Sequence, residues 1–289
     1  MISENFITDI ALESAESANL HSRLEQEILS FGISKKRLNI RTKEMSEQTG
    51  KPLGVYVSFD CDKRIFMSPR AGKAVETNIC ETLYQLIGVR PKSKPVLVAC
   101  LGNGNITSDS LGDRVFDKLK IDADKNAKNG DKQPVLAIST SVFGKTGIQS
   151  AQIVRAICKE ISPSCVVLVD SLATSVPKRV GLSFQLSTAG ITPGSGVYGG
   201  KERIDKSVLG VPTVSIGVPT LLSLGTMLHG VFADYMQKIG RELDEYKYRE
   251  LLASNMLSNM VVAPKDVDVY VENASVIIAN AINSAFNMS

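Results

Sequence analysis

Two aspartates are the residues of this 289-residue chain best placed to carry out chemistry. Asp170 ends the apolar run VVLVD, which is typical of a buried strand, and Asp109 lies in the loop LGNGNITSD after another apolar run. Ligands of open α/β sheets bind outside the carboxyl ends of the strands, so both acids are expected to face one crevice. Two close carboxylates share a proton and can act together as acid and base. The spacing therefore predicts an aspartate pair that activates water.

Each aspartate also has a simpler interpretation. Asp109 stands just before a helix predicted from Leu111, where an aspartate commonly caps the first turn. Asp170 would cap the turn that follows its strand in the same way. From spacing alone, the capping role and the catalytic role both remain open.

Histidine chemistry is disfavoured because the chain has only two histidines, His21 and His229. Neither belongs to an HExxH motif or a cysteine cluster, and His229 lies in the apolar stretch MLHGVF, where a packed side chain is expected. A serine or cysteine nucleophile needs a base within hydrogen-bond reach, and catalytic zinc commonly relies on histidine ligands. The sequence therefore predicts no metal site.

Two segments resemble nucleotide-binding motifs but lack essential parts. Residues 139–146 (STSVFGKT) are similar to a phosphate loop, yet Ser139 replaces the first glycine, which the loop needs for its backbone conformation. Residues 194–199 (GSGVYG) match GxGxxG, but polar residues follow instead of an apolar helix, and no ribose-binding acid follows at the required distance. Ser195 also lacks the first glycine of a GxSxG elbow. No cofactor is expected.

The elements that must position the aspartates alternate between short apolar runs and amphipathic stretches. This alternation predicts an α/β fold with a mostly parallel central sheet flanked by helices. The predicted strands are Val55–Phe59, Val96–Leu101, Val135–Thr140, Val166–Asp170, Leu182–Ser187 and Thr213–Val218. The predicted helices are Gly72–Ile87, Leu111–Leu119, Ile148–Glu160, Leu221–Ile239 and Pro264–Phe286.

The polar first 50 residues have weak periodicity and are interpreted as a solvated arm, while residues 51–289 are expected to form one α/β domain. A hydrophobic content of 43% is ordinary for a globular protein, and the net charge of +3 neither suggests nor excludes a nucleic-acid partner. The N-terminus lacks the features of a signal peptide, and no apolar run is long enough to span a membrane. Five cysteines without a CxxC pair indicate buried, reduced thiols and a cytoplasmic location.

Six segments follow one another in order from about residue 96 to the C-terminus. They are Gly102-Asn103 through Asp109-Ser-Leu-Gly112, Gly144-Lys-Thr-Gly-Ile148, Val169-Asp170-Ser-Leu-Ala173, Gly190-Ile-Thr-Pro-Gly-Ser-Gly-Val197, Leu209-Gly-Val-Pro-Thr-Val-Ser-Ile-Gly-Val-Pro-Thr220 and Asn259-Met-Val-Val-Ala-Pro-Lys-Asp-Val-Asp268. As a set they resemble the germination protease family of spore-forming bacteria.

The resemblance implies an α/β fold similar to that of hydrogenase maturation proteases and a tetrameric enzyme made as a zymogen in the developing spore core. It implies that the substrates are the small acid-soluble proteins that coat spore DNA. No direct nucleic-acid partner and no membrane partner are expected. The family's two catalytic aspartates match Asp109 and Asp170. The chain departs from the family at Asp113, Ser175 and Thr192, where proline, arginine and histidine are usual, and the region 241–259 is short. These departures imply altered substrate contacts.

The resemblance also implies self-cleavage near the N-terminus. The segment Thr8-Asp9-Ile10-Ala11-Leu12-Glu13 follows the order of family substrates, which are cut between the acid and the apolar residue. The expected cut between Asp9 and Ile10 removes a propeptide of nine residues, and a polar arm is expected to detach from the core at little cost. The simpler interpretation is a helix start capped by Thr8 or Asp9.

Two other functions remain as alternatives. A processing peptidase of the hydrogenase maturation type shares a GN…D…G…V pattern, but that type relies on metal ligation by acids and histidine, which is scarce here. A non-enzymatic sporulation protein that retains the fold would show no activity on spore proteins.

Overall fold

The computed structural model describes residues 8–89, 91, 93–121, 133–193, 202–254, 257 and 260–287, which form a central sheet flanked by helices. The strands are β1 (Leu24–Ile28), β2 (Ser34–Ile40), β3 (Gly54–Asp60), β4 (Val96–Cys100), β5 (Val135–Ser139), β6 (Cys165–Thr174), β7 (Ser183–Ser187), β8 (Thr213–Ser223) and β9 (Val261–Val262). The helices are α1 (Ala11–Ser17), α2 (Lys43–Thr49), α3 (Arg64–Met67), α4 (Pro69–Ile87), α5 (Leu111–Phe116), α6 (Phe143–Thr146), α7 (Ser150–Ile161), α8 (Lys206–Leu209), α9 (Leu224–Lys238), α10 (Glu245–Ser254) and α11 (Val267–Asn287).

The strand order is β1-β2-β3-β7-β8-β6-β4-β5, with β9 paired to β8. The predicted α/β class is confirmed, and each predicted strand and helix is present with shifted ends. The sheet is mixed rather than mostly parallel. Among the described strands, the parallel pairs are β8–β6, β6–β4 and β4–β5. The pairs β1–β2, β2–β3, β3–β7, β7–β8 and β8–β9 are antiparallel.

The two faces of the sheet are covered differently. On one face, α4, α5 and α11 bury a continuous apolar core against the central strands, for example Phe59 and Phe184. On the other face, α1 covers one apolar cluster over β2 and β3, and α7 covers a second over β4 and β6. A cavity lies between these two smaller clusters. No helix in the described ranges is long and apolar enough to cross a membrane.

The expectation of a solvated N-terminal arm is wrong for residues 8–50. Ile10, Leu12 and Ala15 are fully buried, and they pack with Leu38 and Ile40 of β2. The prediction failed because the polar residues of this region include β1, which is an exposed edge strand. Charged side chains on an edge strand protect it from further pairing. The polar pattern therefore marks a sheet edge rather than a detached arm.

Candidate active site

A cavity of about 750 Å³ opens where the parallel strands end. Its floor is the sheet face that carries Asp170 on β6, Gly217 on β8 and Gln185 on β7, and Asp109 lines its wall. The structure thus brings the two predicted aspartates to one cavity, as the strand-end argument expects. Their catalytic role stays a prediction.

Asp170 lies at the step where β4 stops and β6 continues. The last pair between these strands is Cys100 with Val169, so Asp170 is the first residue of β6 beyond it. The predicted strand end at Asp170 is wrong, because β6 runs on to Thr174, and Asp170 therefore caps no following turn. Its side chain is buried, and its Oδ1 accepts a hydrogen bond of 2.9 Å from the Ser171 N–H.

Asp109 is presented by a loop that folds back on itself. The Asn103 N–H donates to the Asp109 carbonyl at 2.9 Å. Gly102 has a φ of +118°, and a Cβ at this position would lie 2.2 Å from that carbonyl oxygen, so only glycine allows the approach. The cap of α5 is Ser110 and carries no side-chain cap bond, so the capping interpretation of Asp109 is wrong.

The N-terminal segment enters the same cavity, where Asp9 lines the wall. The Asp9 N–H donates to the Ala173 carbonyl at 2.9 Å, and the Ala173 N–H donates to Asp9 Oδ2 at 2.8 Å. Gln185 Nε2 donates to the Asp9 carbonyl at 3.1 Å, while Gln185 Oε1 accepts from the Ala11 N–H at 2.8 Å. The peptide bond between Asp9 and Ile10 is therefore held over the sheet by defined contacts.

Glu13 anchors the same segment from within α1. Its buried carboxylate accepts hydrogen bonds from Thr8, Thr174 and Ser175, and it pairs with Arg179. Burial favours the neutral acid and is the largest effect on its pKa, but hydrogen bonds from Ser175, Thr174 and Thr8 together hold the pKa of Glu13 below its usual value. The ionised form is thus the one built into the fold. The predicted caps Thr8 and Asp9 are wrong, since Ile10 occupies the cap position of α1.

Lys51 brings a cation to the cavity wall beside Asp9. Its Nζ donates to the Thr8 carbonyl. Burial lowers the pKa of Lys51, and the carboxylates of Asp9 and Glu13 partly offset that effect.

Sequence reasoning missed Gln185, Lys51 and the Glu13–Arg179 pair. A signal existed for Gln185: in the strand SFQLS, polar and apolar residues alternate, which places Ser183, Gln185 and Ser187 on one face. Lys51 and Arg179 gave no comparable signal, because nothing local marks a charged residue that pairs with a distant segment.

The remaining motif predictions have mixed outcomes. In the phosphate-loop-like segment, α6 spans only one turn, and the Ser139 hydroxyl donates to Asp113. The GxGxxG segment and Ser195 lie outside the described residues. His229 packs against Tyr248 with ring centroids 5.2 Å apart. Among the residues described, no group of three or more His, Cys, Asp or Glu side chains is arranged to hold a metal ion; metal independence itself stays a prediction.

Of the positions that depart from the family pattern, Ser175 contacts Glu13 through its N–H and hydroxyl. Thr192 lines the cavity. Asp113 of α5 lies beside Gly104 and accepts a hydrogen bond from the Ser139 hydroxyl.

The family model and the most similar curated sequences agree on one family. The family model described as germination protease matches residues 8–257. Germination proteases from Clostridium perfringens and Caldanaerobacter subterraneus are 29% and 30% identical, covering 97% and 96% of this chain and 95% and 93% of their own lengths. A [NiFe] hydrogenase maturation protease from Thermococcus kodakarensis aligns with 71% of this chain and 99% of its own at 15% identity and a TM-score of 0.40, a likeness too low to support an argument. The family match spans most of the sequence, and the chain belongs to the germination protease family of peptidases.

Proposed function

We propose that this chain is an endopeptidase that degrades small acid-soluble spore proteins during germination, with Asp109 and Asp170 as its catalytic pair. One observation carries the proposal: both aspartates line a cavity into which the chain's own Asp9–Ile10 segment runs. A peptide bond and two carboxyl groups are the components that this type of hydrolysis requires.

In the proposed reaction, one aspartate is ionised and the other protonated. The ionised carboxylate takes a proton from water as the water oxygen bonds to the peptide carbonyl carbon. The protonated partner donates its proton to the leaving nitrogen as the C–N bond breaks. Water, a peptide and two aspartates balance this step, so no cofactor or metal enters it.

The proposal includes self-processing of a zymogen between Asp9 and Ile10. It is supported by the contacts that hold Asp9 at the cavity and by the burial of Ile10, Ala11 and Leu12. Because burying one large aliphatic side chain contributes roughly 1.5–3 kcal/mol, the chain from Ile10 onward stays anchored after the cut. Only the residues before Ile10 are released. The buried contacts of α1 contradict the expectation that the polar arm detaches from the core at little cost.

The direct test is incubation of the purified full-length chain with a small acid-soluble spore protein, followed by mass analysis of the fragments and N-terminal sequencing of the enzyme. We expect discrete fragments and an enzyme that begins Ile-Ala-Leu-Glu. A folded chain that leaves the spore protein intact would favour a non-enzymatic role. An active enzyme that still begins at Met1 would remove the self-processing step alone.

The family resemblance extends the proposal to a homotetramer in the cytoplasm of the developing spore core. The exposed side chains of Val231 and Tyr235 on α9 support association, because they leave apolar surface in water. Light scattering should give the mass of four chains; a stable monomer at working concentration would contradict this part.

A further inference from the structure

Gln185 and Asp170 stand at the same level of the sheet with one glycine between them. Gln185 on β7 pairs with Gly217 on β8, and Gly217 pairs with Asp170 on β6. Paired residues of neighbouring strands project to the same face, and strands lie about 4.8 Å apart, so the two side chains flank a gap of roughly 10 Å. Gly217 contributes no side chain to that gap, and the Leu172 side chain of β6 lies over it instead. A peptide that crosses β8 here lies between the two strands that carry Asp170 and Gln185.

The N-terminal segment makes that crossing. Its Asp9 residue is bound to Ala173 of β6 on one side and to Gln185 of β7 on the other. The two ends of the Gln185 amide contact the main chain on either side of the Asp9–Ile10 bond: Nε2 donates to the carbonyl of Asp9, and Oε1 accepts from the N–H of Ala11. These contacts involve only main-chain atoms of the segment.

We infer that Gln185 is a substrate-positioning residue whose Nε2 holds the carbonyl oxygen of the peptide bond to be cut; this inference rests on the proposed function. An amide supplies a donor and an acceptor from one planar group, so fixing one end orients the other. The Ala11 N–H fixes the oxygen end and so directs Nε2 toward the cavity. When water adds to the carbonyl, negative charge develops on the oxygen that Nε2 contacts, and a donor in place stabilises that charge.

The same arrangement serves a protein substrate after self-cleavage. Departure of Asp9 removes the carbonyl that occupies Nε2, whereas Ala11 stays anchored through the burial of α1. Nε2 is then oriented and available for the carbonyl of an incoming chain. Because it binds a main-chain oxygen, Gln185 aligns the bond to be cut without selecting the side chains around it.

The test compares full-length wild type with Gln185→Glu and Gln185→Met. Self-cleavage is followed as a first-order rate by intact mass, and cleavage of a small acid-soluble spore protein is resolved into kcat and KM. Loss of one such donor typically slows the chemical step about 100-fold, so both rates should fall by that order at neutral pH with KM little changed. Acidification should reduce the difference in cleavage rate between Gln185→Glu and wild type, because a protonated glutamic acid regains a donor. The difference for Gln185→Met should stay the same, because methionine has no donor at any pH.

Gln133→Glu is the matched control. Gln133 is also buried, but its side chain contacts Pro91, Lys94 and Ser164 away from the cavity, so its replacement alters stability and leaves the cleavage rates near wild type. If the role of Gln185 is purely structural, folded Gln185→Met and folded Gln133→Glu should have equal cleavage rates. That result overturns the inference. If wild type itself cuts neither its own chain nor the spore protein, the proposed function fails and the inference fails with it.

Discussion

Glu13 and Arg179 form an ion pair that is almost closed to solvent, with 2.9 Å between Oε1 and Nη1. The pair ties α1 to the turn after β6, and Asp60 and Glu16 add two further carboxylates within 3.5 Å of the guanidinium. A segment that is polar in sequence is thus fastened by buried charge. This anchor explains why cleavage after Asp9 would leave the rest of the N-terminus in place.

Removing one partner of this pair should be strongly destabilising. We expect Arg179→Met to lower the free energy of unfolding by about 3–5 kcal/mol, because the Glu13 charge then remains buried without its cation. Urea unfolding measures the change. The control is Arg64→Met, whose partner Asp62 is exposed; loss of such a surface pair costs about 1 kcal/mol or less. Equal effects of the two substitutions would contradict a buried anchor.

The stability of the fold should also depend on pH through Glu13. Its pKa in the folded protein lies below the ordinary value of 4.5, since the hydrogen bonds to the ionised form outweigh the effect of burial. As the pH falls, the Glu13 carboxylate binds a proton at a higher pH in the unfolded chain than in the folded protein. The contribution of Glu13 to stability is therefore fully present above pH 4.5 and is lost as the pH falls through the lower pKa of the folded protein. The free energy of unfolding of wild type, measured by urea unfolding at several pH values, should fall over that acid range. The free energy of unfolding of Glu13→Gln should fall less. Parallel curves would refute the prediction.

The sequence predicted the central strands, such as β4 and β6, because their apolar runs report burial directly. It also predicted that Asp109 and Asp170 face one cavity, because the carboxyl ends of parallel strands share one edge. It could not predict β1 and β2, whose charged residues follow the pattern of a loop. Nor could it find the partners of the N-terminal segment: Ala11 and Gln185 are 174 residues apart, and no local pattern encodes such a contact.

The loop that presents Asp109 should depend on Gly102. Replacement by alanine combines an unfavourable positive φ with a Cβ that meets the Asp109 carbonyl, so we expect lower stability and a loss of cleavage. Gly88→Ala is the matched control, because Gly88 also has a positive φ but no atom within 4 Å of the added Cβ. Thermal unfolding and the cleavage rate are measured on both variants. A Gly102→Ala protein as active as Gly88→Ala would show that the close approach is unimportant.

Cleavage should need neither metal nor nucleotide. The proposed reaction is balanced by water and two carboxyl groups, so dialysis against a chelator without added nucleotide should leave the rate unchanged. The rate on a spore protein before and after dialysis is the measurement. Complete loss that zinc restores would instead favour a metal-dependent processing peptidase.

The central claim is that Asp109 and Asp170 together cut the peptide bond, and the rates of Asp109→Asn and Asp170→Asn test it most directly. Asparagine keeps the size and the Oδ1 acceptor that Asp170 offers to Ser171, but it removes the acid. Asp234→Asn on the exposed side of α9 serves as the control. Both site variants should fold, remain full length and cleave the spore protein slower by orders of magnitude, whereas the control should match wild type. A well-folded Asp170→Asn protein with full activity would contradict the account.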